Sequence, residues 1–218
     1  MASNNQKIGL FGGSFDPPHL GHEALVKAAI ELLKLDEVWV IPAGAPVHRT
    51  LSGHADARLR LKWMKEIFSG VESVRIVDWE IDQPQPVPAI TTLRKFRAQN
   101  PEVVPVWLSG ADAFEGMSSW IAYPEHQKLC SVAVFDRNSR SASIKMPDWQ
   151  RVSVESWLQG EVDGPGCFIC LEAALPNVSA TEIRDRAADG KSLEGLVNSR
   201  ICEEVESRYQ SGQEINIE

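Results

Sequence analysis

Apolar positions recur along this chain at two spacings, and the two alternate. Lys7 to Phe11 is a short apolar run closed by glycines, which predicts a first strand. From Leu20 to Lys34, Leu25, Ala28, Ala29, Leu32 and Leu33 recur at helical spacing, with Glu23, Lys27, Glu31 and Lys34 opposite. A strand over Glu37–Ile41 stopped by Pro42, a helix over Asp56–Phe68, a strand over Ser73–Val77 and a helix over Ile90–Ala98 follow. The second half predicts strands at Val103–Leu108, Ser131–Phe135 and Gly166–Leu171, and a helix at Pro124–Leu129. Two helices, Ala180–Ala188 and Leu196–Tyr209, close the pattern. Residues 139–166 are polar and Trp-containing and show no period.

Units of this kind point to an α/β fold, a parallel sheet covered on both faces. Such sheets bind ligands outside the carboxyl ends of their strands, at the switch in strand order. Residues just after strands therefore carry the first claim to chemistry.

A chain of 218 residues, 43% of them hydrophobic, suffices for one globular domain without disulfides. The N-terminus carries no apolar run typical of a secretory signal, and no apolar stretch approaches the ~20 residues that span a bilayer. A cytoplasmic location and no membrane partner are the expectation. The net charge of −8 argues against a protein that coats nucleic acid. An acidic protein that binds an anion must gather its cations locally. Cys167 and Cys170 form a lone C-x-x-C with no second pair at metal spacing, on a segment that reads as a strand. Positions three apart on a strand face opposite sides, so buried structural thiols are expected rather than a metal or redox site.

The first strand runs into Gly12-Gly13-Ser14-Phe15-Asp16-Pro17-Pro18-His19-Leu20-Gly21-His22. Glycines at that point let the backbone approach a phosphate, and the helix beginning near Leu20 offers unpaired N–H groups and a positive dipole end. His19 and His22, three apart, share one face of its first turn. A P-loop is excluded by the absence of G-K-[ST], and a dinucleotide fingerprint by the absence of G-x-G-x-x-G. Far along the chain stands Val178-Ser179-Ala180-Thr181-Glu182-Ile183-Arg184. Ser179 with Glu182 is a capping box, and Thr181 and Arg184 share a face of the same turns.

G-G-S-F-D-P-x-H-x-G-H resembles the signature of the bacterial nicotinate mononucleotide adenylyltransferases, within the H-x-G-H nucleotidyltransferases. S-A-T-E-I-R resembles the family's I-S-S-T-x-I-R. The resemblance spans nearly the whole chain. It implies a Rossmann-like three-layer α/β/α sandwich with a mostly parallel sheet. It also implies one domain over 1–218 whose last helices, about 179–209, complete an ATP site. The implied partners are ATP with Mg²⁺ and a pyridine mononucleotide, nicotinate or nicotinamide; whether the chain forms a homo-oligomer stays open. By the same resemblance Gly12, Gly13, Ser14 and Phe15 line the ATP site, His19 and His22 contact its phosphates, and Ser179, Thr181 and Arg184 hold the β- and γ-phosphates. Gly110 and Asp112 match a ribose-binding G-x-D, and Arg137 a basic residue near the adenine. Asp16, His48, Arg49 and Trp120 are implied on the acceptor side. Arg58 or Arg60 matches an arginine on the family's next helix, the register being open. One departure stands out: where the family commonly shows S-Y-T, this chain has Val87-Pro88-Ala89. That keeps in view a related nucleotidyltransferase with another phosphorylated acceptor such as phosphopantetheine; from a different class, the alternative is an inactive nucleotide sensor.

Overall fold

The structure is a computed structural model that describes residues 6–45, 54–136, 144–162 and 164–210. Seven strands among them form one sheet in the order β3-β2-β1-β4-β5-β7-β6, every neighbouring pair parallel. They are β1 (Ile8–Gly13), β2 (Glu37–Pro42), β3 (Val74–Ile76), β4 (Val106–Gly110), β5 (Ser131–Asp136), β6 (Gln150–Val152) and β7 (Cys167–Glu172). The crossovers carry α1 (Leu20–Leu33), α2 (Ala57–Ile67), α3 (Ala89–Gln99), α4 (Ala111–Glu115) and α5 (Val154–Leu158), and α6 (Ala180–Ala188) and α7 (Cys202–Tyr209) follow β7. This is the α/β parallel sheet that the alternating pattern implied, and the Rossmann-like fold that the resemblance implied.

The strands sort their side chains by parity into two cores. Phe11, Val38, Val40, Val106, Leu108, Ala133 and Phe135 face one side, where Leu25 and Ala29 of α1, Trp63 of α2, Ile183 of α6 and Val205 of α7 cover them. Ile8, Leu10, Trp39, Ile41, Trp107, Val132 and Val134 face the other, under Leu93 and Phe96 of α3 and Phe114 of α4. Asp56 caps α2 by accepting from the N–H groups of Arg58 and Leu59, and Ser179 caps α6 by accepting from that of Glu182. Arg200 reaches the other end of α2, where Nη1 donates to the carbonyls of Glu66, Ile67 and Ser69.

The departures from the predicted elements have physical reasons. Pro124–Leu129 gives a 3-10 turn at Glu125–Lys128, since six residues that open on a proline are too few to nucleate an α-helix. Leu196–Tyr209 shortens to α7 because Gly195 takes a left-handed φ of 76° and Asn198 Oδ1 accepts from the Arg200 N–H, turning the chain before Cys202. Strand β6 and helix α5 lie in the stretch without period; β6 is a three-residue edge strand paired only with β7. Cys167 lies in the first core, while Cys170 packs against the second. Both are free thiols, and burial raises each above the ordinary thiol value. A chelator and a thiol reductant are each expected to leave the thermal midpoint unchanged; a drop with either reagent would restore the metal or redox reading.

Candidate functional site

The sheet's strand order reverses between β1 and β4, whose partners Leu10 and Trp107 lie in register. Their carboxyl ends, Gly12-Gly13 and Ser109-Gly110, therefore flank the crevice where open parallel sheets bind ligands. The glycines are still in strand, opposite Ile41 and Pro42 of β2. What they provide is room: a Cβ on Gly12 would lie 3.0 Å from Trp107, and one on Gly13 2.9 Å from the Phe15 ring. The turn itself falls to Phe15, with φ 47°. Its ring is 1% exposed, edge-on to Phe11 at 5.2 Å and to His22 at 5.0 Å. Phe15 thus packs its buried ring against His22.

His19 and His22 open α1 with a reciprocal capping box, and their rings stack at 3.6 Å, 20° from parallel. His22 Nδ1 accepts from the His19 N–H at 3.1 Å. A neutral His22 therefore carries its proton on Nε2. One nitrogen builds the helix start, and the opposite nitrogen is a hydrogen-bond donor.

Asp16 departs furthest from the acceptor-side role implied for it. The residue is only 5% exposed, and its side chain is consumed by the protein itself. Oδ1 accepts from Tyr209 Oη at 2.5 Å and from the Ala55 N–H at 3.0 Å, while Oδ2 accepts from His54 Nδ1. Burial works to raise this carboxyl, but the bonds from Tyr209, His54 and Ala55 outweigh it and hold Asp16 below the usual aspartate range. Beside it Arg60, 2% exposed, donates to the carbonyls of Ala55, Ser14 and Gly44. Arg60 thus points inward, whereas Arg58 is exposed and paired with Asp82.

The two distant motifs meet here. Arg184 Nη1 donates to the Asp16 carbonyl at 2.5 Å, and Nη2 to Thr181 Oγ1 at 3.2 Å. The Leu20 N–H at the head of α1 donates to the Leu196 carbonyl at 3.0 Å, and Asn198 Nδ2 donates to Glu23 at 2.8 Å. Ser179 Oγ stands at the head of α6, occupied as its cap.

Across the crevice, Gly110 is the N-cap of α4, and Asp112 is exposed in that helix's first turn. Trp120 is half-buried, edge-on to Trp107 at 6.3 Å and to His126 at 5.8 Å, so a chain of rings links it to Gly12. Val87-Pro88-Ala89 forms the start of α3, with Pro88 as an N-cap that offers no side-chain bond. Arg94 of α3 pairs with Glu125 at 2.8 and 2.5 Å, packing that helix beside the segment after Trp120. His48, Arg49 and Arg137 lie outside the described residues.

A parallel sheet with this switch point and a histidine-opened first helix defines a nucleotidyltransferase scaffold, and the profile of the cytidylyltransferase-like family matches residues 10–186. A probable nicotinate-nucleotide adenylyltransferase from Chromobacterium violaceum is 31% identical over 204 residues, covering 90% of this chain and 94% of its own. One from Pseudothermotoga lettingae is 31% identical over 207 residues, covering 95% and 98%. The chain belongs to the nicotinate-nucleotide adenylyltransferase family. Its fold is similar to that of the Plasmodium falciparum nicotinic acid mononucleotide adenylyltransferase complexed with NaAD, with a TM-score of 0.67 at 15% identity over 91% of this chain and 96% of that one.

The burial of Arg60 has a signal in the sequence: it shares the helical face of Trp63, Met64 and Ile67, and a charge on an apolar stripe marks a buried partner. His54 and Tyr209 had none, because their partner lies in another part of the chain. Glu80 also surfaces only in three dimensions. It is 7% exposed, accepts from Thr92 Oγ1 of α3 at 2.6 Å, and its carbonyl lies 1.9 Å from where a Cβ on Gly44 would be. Burial pushes its carboxyl up from 4.5 to about 7, against the Thr92 bond. The folded protein then keeps a proton that the unfolded chain releases, so this contribution is complete below 4.5 and is lost as pH rises through about 7. Glu80→Gln is expected to flatten that decline, worth at most about 3 kcal/mol, as read from urea midpoints on either side of the window. An unchanged pH slope in the variant would refute the assignment.

Proposed function

We propose that this protein transfers the adenylyl group of ATP to nicotinate mononucleotide, releasing pyrophosphate and forming the dinucleotide, a step in NAD biosynthesis. The observation that carries the reading is the bond from Arg184 to the Asp16 carbonyl, which joins the late helix to the first loop. Family membership supports the same chemistry, and relatives bearing that activity in their names align over nearly their full length.

In this reading the acceptor's 5′-phosphate oxygen attacks the α-phosphorus in line and pyrophosphate leaves. A phosphate monoester with a second pKa near ~6 is largely dianionic at neutral pH, so the step needs no general base. The protein's part is to position the phosphates and neutralise charge as it moves toward the leaving group. His22, its proton on Nε2, serves the α-phosphate; His19 and Arg184, with Ser179 and Thr181, serve the β- and γ-phosphates. The main chain of Gly12, Gly13, Ser14 and Phe15 borders the triphosphate, Gly110 and Asp112 the ribose, and Arg137 the adenine. His48, Arg49 and Trp120 belong to the acceptor, with Trp120 against the pyridine ring. The late helices form one domain with the rest of the chain.

The donors gathered at the loop are imidazoles, a guanidinium and a hydroxyl, which match phosphate oxygens rather than a cation. Among the described residues no group of three or more His, Cys, Asp or Glu comes together to hold a metal. Mg²⁺ fits as an ion carried by ATP, where it would neutralise phosphate charge while retaining most of its water. The acceptor side favours an acid. The start of α3 beside the Trp120 segment presents a helix N-terminus, whose positive end suits a carboxylate better than a carboxamide. Among the described residues no helix is long and apolar enough to cross a membrane, and a cytoplasmic place is part of the same reading.

Pyrophosphate release from ATP across a panel of nicotinate mononucleotide, nicotinamide mononucleotide and phosphopantetheine tests the substrate. Nicotinate mononucleotide is expected to turn over fastest; ATP binding without turnover on any acceptor would point to a sensor instead. His22→Ala is expected to lower kcat by ~100- to 1,000-fold with a much smaller change in ATP affinity. Turnover at the parent rate would remove His22 from the mechanism.

A further inference from the structure

The buried carboxylate of Asp16 receives one of its hydrogen bonds from a residue 193 positions away. Tyr209, the last residue of α7, is 8% exposed and donates to Oδ1 at 2.5 Å; burial and the neighbouring carboxylate raise its phenol, so the proton stays on Tyr209. The adjacent Arg208 donates from Nη2 to the carbonyl of His54, whose ring holds the other carboxylate oxygen. The end of α7 thus grips both sides of Asp16. Around that carboxylate the main chain of the first loop is fixed at two points, Ser14 O by Arg60 and Asp16 O by Arg184. His19 follows three residues later.

From this arrangement we propose that Tyr209 is a positioning residue for adenylyl transfer, acting through Asp16 to hold the first loop in the shape that aligns His19 and His22. The proposal rests on the activity given above, and it assigns a catalytic consequence to a helix that touches no substrate. Its logic is electrostatic. The loop keeps its shape while Asp16 is an anion, because only the anion accepts from Tyr209, Ala55 and His54 together. The groups facing it are His54 ahead of α2, Arg60 on α2, Tyr209 on α7 and, through the Asp16 carbonyl, Arg184 on α6. With the phenol gone, Asp16 loses a donor while its burial remains, and it takes up a proton at higher pH. A loop with a neutral Asp16 then loses its alignment while the fold persists.

Tyr209→Phe removes the hydroxyl and keeps the ring against Trp63, 6.3 Å away. In the full-length protein, with ATP and nicotinate mononucleotide, kcat is expected to fall on the order of 10-fold. The acid limb of the kcat/KM profile is expected to move to higher pH. Val205→Ala, in the same helix with its side chain in the core, is the control for loosened docking: it lowers the thermal midpoint and leaves the acid limb in place. In an Asp16→Asn background the Tyr209→Phe step should add little, since both changes strike one interaction. An unchanged acid limb in Tyr209→Phe, or fully additive effects with Asp16→Asn, would overturn the proposal. If the parent protein itself fails to turn over nicotinate mononucleotide, the activity is at fault rather than the role of Tyr209.

Discussion

Taking a carboxylate out of water costs several kcal/mol unless donors meet it inside the protein, and Asp16 is met by three. The donors come from two places, the approach to α2 and the end of α7. The main-chain oxygen of the same residue is held from a third, by Arg184 of α6. Satisfying one buried charge therefore requires segments far apart in sequence to arrive together. The first loop is shaped by the tertiary structure more than by its own residues, even though those residues carry the most recognisable motif in the chain.

That arrangement also explains how a chain of net charge −8 can present a place for an anion. Arg60, Arg184, Arg208, His19, His22 and His54 surround a loop with a single buried carboxylate at its centre. Two of the arginines are used on carbonyl oxygens, Arg60 buried and Arg208 half-buried. Those links fix the positions of the residues that face the crevice. The excess of acid lies elsewhere on the protein, so the local field is set by short-range placement in a poorly solvated site.

The fold was legible where a segment's partners are generic. Alternation of short apolar strands with amphipathic helices predicted the parallel sheet, and Ala180–Ala188 matched the structure residue for residue because Ser179 and Glu182 mark its start locally. Gly195 and Asn198 shortened the last helix through turn chemistry that an apolar period overlooks. Edge strand β6 was unreadable because three residues on one flank carry too little pattern. In the site, the motifs located His19, His22 and Arg184. They gave no indication that Phe15 would be buried or that Asp16 would be enclosed. The enclosure of Asp16 depends on Tyr209 and His54, contributed by other elements. Arg60 lay between these cases, marked by its helical face but lacking a visible partner.

Arg60 touches Ser14 after β1 and Gly44 after β2 with the same guanidinium. A rigid planar fork leaves little slack between its two arms. The walls on either side of it therefore cannot settle independently: whatever stiffens the turn at Ser14 is transmitted to the chain at Gly44.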